Sequence, residues 1–395
     1  MITCGVDPSR GSICVSYVED MVEIDYKEYE NGPGGYKVFV EDIHGMGGVE
    51  GVYIEGYGDT ARSLMVYLKE EGIKVYEVNP HMLSRLREGI TEQKTDHIDS
   101  YVCGLIPFFW DIKEIKTKLE VEEIKVLGRA YIRVIREIVR FKNQLHSSLH
   151  HVFGKEYKRM FRELNETSIR FFMRFNSYEK IKGASVEEIH EVIGSVGSKR
   201  YKGEHGLRKA MEIKEIAEGV EYSDGMKELL EAEGYIITVW GELLLKSMEK
   251  AKELKEAIEE RVKEVFPGYK EYFRDIRGMT PLRFGILMGE IKDIKRFSKE
   301  GELASYAGQA PCKYQSGLRE KERHKRKYNR FLAHVIHQIA CDNVRKNAMY
   351  YEEYKHQKER MRVKLRALKT VKRKIVRLLY YRLLAYENLI LNNAA

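Results

Sequence analysis

The first hundred residues change their apolar period in a definite order, and that order limits what the chain can fold into. "MITCGVD" is a short apolar run, and "SICVSYVED" and "MVEIDYKEYE" each alternate apolar with polar. Alternation of this kind is the mark of strands with one buried face. Pro8-Ser9-Arg10-Gly11 reads as the first turn, so three strands form a meander. Beyond the glycine-rich Asn31 to Gly35 the spacing becomes helical. "YKVFVEDIHG" ends at Gly45, "GVYIEGY" is a compact buried strand, "TARSLMVYLKEEG" closes on Gly72, and "KVYEVNP" is a further strand. A last helix opens at "KTDHIDS" and runs into the apolar "YVCGLIPFF".

The resulting order, βββ-α-β-α-β-α, is that of an α/β ribonuclease-H-like domain, expected over residues 1–112. Residues 113–266 are helical in pattern, poor in proline and rich in Glu, Lys and Arg. Ile237, Leu244, Ala251, Ile258 and Val265 recur at seven, as in a coiled coil or a long antiparallel hairpin. A core-facing bundle helix gives the same pattern. Within this region "EKIKGASVEEIHEVIGS" reads as a small helical insert, with Ser185 and Glu188 spaced as a capping box. Residues 267–395 are expected to form a helical C-terminal domain, in which "CKYQSGLREKERHK" is a loop and the last helix carries Leu365, Leu368, Ile375 and Leu379 on one stripe.

Within the first domain the acids draw notice. Asp7 ends the first strand and Glu55 the fourth, and these strands are neighbours in a ribonuclease-H-like sheet. Asp96 and Asp99 lie three apart at the start of a helix packed near the same edge. Two readings fit that pair: first-turn acids that favour the helix dipole, with Thr95 or Asp96 as the cap, or ligands for a hard divalent cation. Four converging carboxylates repel and raise each other's pKa, and a pair of Mg²⁺ ions removes that repulsion. Each acid alone has a plain explanation as a turn former or a strand-end residue.

Charge is uneven along the chain. The formal net charge is only +8, yet seven of the twelve residues from Arg319 to Arg330 are Lys or Arg. Eleven more, against the single acid Glu359, fall between Lys355 and Arg377. A solvated helix face is one explanation, and a polyanionic partner is the other. The nucleic-acid-binding candidates are Lys313, Arg319, Arg323, Lys325, Arg326, Lys327 and Arg330, followed by Lys372, Arg373 and Lys374. Five cysteines, odd in number and without a C-x-x-C pair, exclude a disulfide frame or a cysteine zinc site. With no secretory pattern at "MITCGVDPSRGS" and no long apolar run, the expected setting is cytoplasmic, at the nucleoid, with no membrane.

"GVDPSR", "VYIEGYGDTARSLMVYLKEEGIKVYEVNP", "KTDHIDS", "RFKNQLHSSLHHVF", "IRGMTPLRFGILMGEI" and "FSKEGELASYAGQAPCKYQSG" follow one another along the chain. In that order they resemble the DEDD insertion-sequence transposases of the IS110 type, described as RNA-guided recombinases. The resemblance implies a RuvC-like catalytic domain whose metal-binding acids fall on Asp7, Glu55, Asp96 and Asp99. It implies two Mg²⁺ ions, or Mn²⁺ in their place. It also places a catalytic serine at Ser316, between Gln315 and Gly317, acting as nucleophile through a phosphoserine linkage. The partners implied are double-stranded DNA at element ends and target, a structured guide RNA, and further copies of the chain as a dimer or tetramer. Where a Gly-Asn-x-x-Leu-Arg-like stretch is usual, the chain has Tyr328 before Asn329 and Ala333 after Leu332, and it has Ser100 where alanine is common.

Two other functions fit the residues alone. A Holliday-junction-resolvase-like nuclease would use the four acids with water as nucleophile and no serine. A non-enzymatic nucleic-acid scaffold would hold the acids for structure only.

Overall fold

The computed structural model describes the chain except residues 57–59, 115–118, 196–200, 311, 317–318, 324–327, 362 and 392–395. At 224, 227, 312–316, 319–323, 390 and 391 it describes the backbone alone. The chain divides into two compact units, each assembled from separated stretches. The first comprises Met1–Glu122, Ile291–Tyr328 and Lys372–Ala395; the second comprises Glu123–Glu290 and Asn329–Val371.

The first unit is built on a sheet of β1 (Ile2–Pro8), β2 (Ser12–Glu19), β3 (Val22–Glu30), β4 (Val52–Glu55) and β5 (Val75–Val78), in the order β3-β2-β1-β4-β5. β1, β2 and β3 pair antiparallel, while β4 lies parallel to both β1 and β5. This is the ribonuclease-H-like topology. Cys4, Val6, Val52 and Ile54 point to one face, where they pack with Phe39 and Val40 of α1 (Pro33–Gly45) and Leu64 and Leu68 of α2 (Arg62–Glu70). The opposite face, with Tyr53 and Val78, receives α3 (Pro80–Ile90) and α4 (Asp96–Phe109) through Leu83, Val102, Cys103 and Ile106.

Two glycines let α4 lie directly on β1. A Cβ on Gly5 would stand 1.9 Å from the Ser100 carbonyl oxygen, and one on Gly104 would stand 3.1 Å from the Gly5 nitrogen. Polar groups in this buried seam are paired: Thr3 Oγ1 donates to the Gly104 carbonyl at 2.8 Å, and the Ser16 and Ser100 hydroxyls lie 2.7 Å apart. Ser100 thus earns its place over alanine with a buried hydrogen bond.

The second unit is helical, dominated by α5 (Leu119–Phe153), which begins in the first unit, and by the 42-residue helix Asp224–Val265. Ile237, Leu244, Ala251 and Ile258 of the sevenfold repeat are buried. Val265 is only half-buried, and Val262 is buried in its stead, because 3.6 residues per turn drifts away from a repeat of seven. The expected capping box forms: the Ser185 N–H donates to Glu188 at 2.8 Å, and the Glu188 N–H donates to Ser185 Oγ at 3.1 Å.

Three expectations need correction. α3 stands between β5 and the acid-bearing helix, where no helix was expected; Asn79 caps it and Pro80 opens it. The stretch read as a loop is a hairpin, β6 (Cys312–Ser316) paired antiparallel with β7 (Arg319–Arg323). In the helix Lys364–Tyr386, Leu368, Ile375 and Leu379 are buried as expected, but Leu365 is 75% exposed, lying in the first turn before the packed face begins at Ala367.

Candidate active site

The register of the parallel pair β1–β4 builds the acidic site. Val6 lies opposite Ile54, so the next residues, Asp7 and Glu55, leave the ends of their strands side by side. Alternation puts both on the face of Gly5 and Tyr53, towards α4. There Thr95 is the N-cap, its hydroxyl accepting from the Ile98 N–H at 3.1 Å. Capping therefore falls to Thr95, and neither aspartate is needed for it. Asp99, 1% exposed, meets the strand acids: one carboxylate oxygen from each of Asp7, Glu55 and Asp99 lies within 4.8 Å of the others. Asp96, one turn earlier, is exposed and outside this trio, yet its charge reaches Asp7.

The electrostatics are those of negative charges held together. Burial first, then Glu55, Asp96 and Asp99, push the Asp7 carboxyl up to about 7, with Lys94 opposing. Burial and Asp99 likewise raise Glu55, opposed by Lys94 and Arg87. Among the described residues neither Asp7 nor Glu55 accepts a hydrogen bond. A part-buried cluster of oxygen donors, two of its three acids accepting no hydrogen bond, fits a hard divalent cation.

One participant was not expected. Arg87 of α3 donates from Nη1 to Asp99 Oδ1. The Asn79-Pro80 helix start was the signal available for α3, but nothing local in the sequence ties Arg87 to Asp99.

Ser316 is the last residue of β6 and pairs with Arg319. Its side chain lies outside the described residues, as do those of Lys313, Arg319 and Arg323; Lys325, Arg326 and Lys327 lie outside entirely. Arg330 is exposed at the start of the helix Arg330–Asn343. Lys374 is exposed on the helix Lys364–Tyr386, whereas Lys372 and Arg373 are half-buried. Arg373 Nε donates to the Gln309 carbonyl at 2.9 Å, which holds the chain just before the hairpin. Past the hairpin, the Tyr328 ring covers Gly308, whose positive φ and close ring contact leave no room for a Cβ.

Asn329, between the divergent Tyr328 and Ala333, has a structural task. Its side-chain oxygen accepts from the Phe331 and Leu332 N–H groups at 3.0 and 2.9 Å, and its Nδ2 donates to Glu290 at 2.7 Å. Ala333 lies in the first turns of the same helix. His334 is half-buried, its pKa lowered by burial and then by Arg136 and Arg283, and His337 lies 3.6 Å from Cys341 Sγ. Among the described residues, the acid trio is the one group of such side chains placed to share an ion.

Sheet order and acid pocket together define a protein of the ribonuclease-H-like class. A family model for transposases of the DEDD IS110 type matches residues 4–154, and the model for the Transposase IS116/IS110/IS902 family matches residues 270–355. The chain belongs to the IS110-type DEDD transposases, and is thus a DNA transposase with a nuclease-like fold. Among solved structures, T. thermophilus RuvC in complex with Holliday junction substrate is similar over 27% of this chain and 90% of its own, at 14% identity and a TM-score of 0.22. That likeness adds nothing beyond the topology already described. No curated protein matches the chain. Among the described residues no helix is long and apolar enough to cross a membrane.

Proposed function

We propose that this transposase cuts and rejoins DNA with a magnesium-type acid site and a serine nucleophile. The convergence of Asp7, Glu55 and Asp99 on one part-buried point, in a chain of this family, is the observation that carries the reading. These three, with Asp96 as the fourth acid, would hold one or two Mg²⁺ ions, or Mn²⁺. Bound there, such ions supply Lewis-acid polarisation of a phosphate and charge neutralisation.

Ser316 provides the nucleophile. Its Oγ attacks the scissile phosphorus while losing its proton to solvent or a neighbouring base. A bond from phosphorus to a sugar oxygen breaks, and that oxygen leaves as a hydroxyl after taking up a proton. The phosphoserine ester conserves the energy of the broken bond, so the reverse attack by another strand's hydroxyl reseals DNA without a nucleotide cofactor. Lys313, Arg319, Arg323, Lys325, Arg326, Lys327, Arg330, Lys372, Arg373 and Lys374 are the basic residues that would meet phosphate backbones. A structured guide RNA would supply sequence choice by base pairing, with a dimer or tetramer bringing DNA ends together at the nucleoid.

Two variants test this on DNA carrying an element end. Ser316→Ala should abolish covalent protein–DNA adducts while leaving DNA binding within about twofold. Asp7→Asn should lower cleavage by about a thousandfold or more, as expected when several kcal/mol of charge stabilisation are lost. Cleavage by Ser316→Ala that leaves free ends would replace the serine with water as nucleophile. Normal cleavage by Asp7→Asn would remove the acid site from the reaction.

A further inference from the structure

The acid pocket contains a fixed cation whose placement decides how one of its carboxylates can be used. α3 has a single fully buried side chain, Leu83, which packs with Val102, Cys103 and Ile106 of α4. Arg87 follows it by four residues and so shares its face, directed at α4. The guanidinium reaches Asp99 at the opening of α4; the two side chains are 15% and 2% exposed. Arginine stays charged and donates in a fixed plane, and it cannot itself ligate a metal. Its bond is to Oδ1 of Asp99. One oxygen of the most buried acid is thereby committed to a protein donor.

We propose that Arg87 is a specificity-determining positioning residue: by holding one oxygen of Asp99 it leaves that carboxylate a single oxygen to offer an ion, and so favours Mg²⁺ or Mn²⁺ over Ca²⁺. The proposal rests on the reading that Asp7, Glu55 and Asp99 hold a divalent ion. Mg²⁺ needs about six ligands in a tight octahedron, keeps several waters, and takes carboxylates one oxygen at a time. Ca²⁺ takes about six to eight oxygens at longer range and gains from bidentate carboxylates. Buried beneath α3, Asp99 cannot turn both oxygens outward while Arg87 holds one. Partners that orient a ligating carboxylate commonly change metal affinity by about 10–100-fold when removed. Here the signature is the ratio of two affinities, which a general loosening of the fold would not move selectively.

The test is calorimetric titration of magnesium chloride and calcium chloride, separately, into the full-length chain and its R87Q and R87K variants, with thermal melting to confirm folding. R87Q should lower the preference for Mg²⁺ over Ca²⁺ by about tenfold, the lower end of such effects. R87K keeps a cation of shorter reach and should recover part of the preference. If R87Q fails to fold, R87K decides alone, and its ratio should fall by at least about threefold. An unchanged ratio in a folded variant that binds both ions would overturn the role of Arg87 while leaving the acid site standing. Failure of the unaltered protein to bind either ion would overturn the acid-site reading, and this proposal with it.

Discussion

Two buried carboxylates, Asp99 in the sheet unit and Glu290 in the helical unit, are each 1% exposed, yet the chain treats them in opposite ways. Glu290 is saturated: Arg129 donates to both its oxygens at 2.6 and 2.8 Å, and Asn329 adds a third bond at 2.7 Å. Asp99 has one guanidinium and two further acids, Asp7 and Glu55, as neighbours. Gathering like charges works against folding, and an arrangement of the second kind is one that a cation from outside the chain would relieve. The contrast separates an acid neutralised within the chain from the acids to which the proposed function gives the chemistry.

Removing the partner of the saturated acid should have the larger effect on stability. Arg129→Ala strands Glu290 with Asn329 alone and should lower unfolding free energy by about 3 kcal/mol, read by urea denaturation. Its thermal response to Mg²⁺ should be unaltered. If the variant is as stable as the parent, the distinction between the two acids collapses.

A smaller effect, with the opposite sign, is expected at the sheet edge. Asp7 keeps its proton up to about 7 in the folded chain, against an ordinary value of 3.8. The folded state therefore binds more protons than the unfolded state between these limits. The group favours folding at low pH, and that contribution is lost as pH rises through about 7. Without divalent ions at pH 8, Asp7→Asn should stabilise the protein by about 1 kcal/mol; the site's partial exposure screens the larger figure the shift alone would give. At pH 4 the gain should vanish. Thermal melting at both values, with chelator present, measures it.

How much of this could be read from the residues follows from how local each signal is. Strand alternation fixed Asp7 and Glu55 at adjacent strand ends, because period two and the crossover order together determine which residues emerge side by side. α3 was missed because only Leu83 of its eleven residues is fully buried, so no apolar stripe announces it. The hairpin was read as a loop because "KYQS" and "REKER" lack an apolar face, although a two-residue connection containing Gly317 between them is a turn signal. Asp96 and Asp99 look equivalent in sequence, yet Thr95 sets the helix start and turns only Asp99 inward. Arg87 could not have been found: its partner lies twelve residues on, in another helix, and only the docking of Leu83 brings them together.

The most direct test of the central claim is diffraction from crystals grown with Mn²⁺, using the metal's anomalous scattering to locate it. We expect a manganese peak about 2–2.5 Å from carboxylate oxygens of Asp7, Glu55 and Asp99. Manganese bound elsewhere, with those three side chains meeting only water and neighbouring cations, would contradict the account.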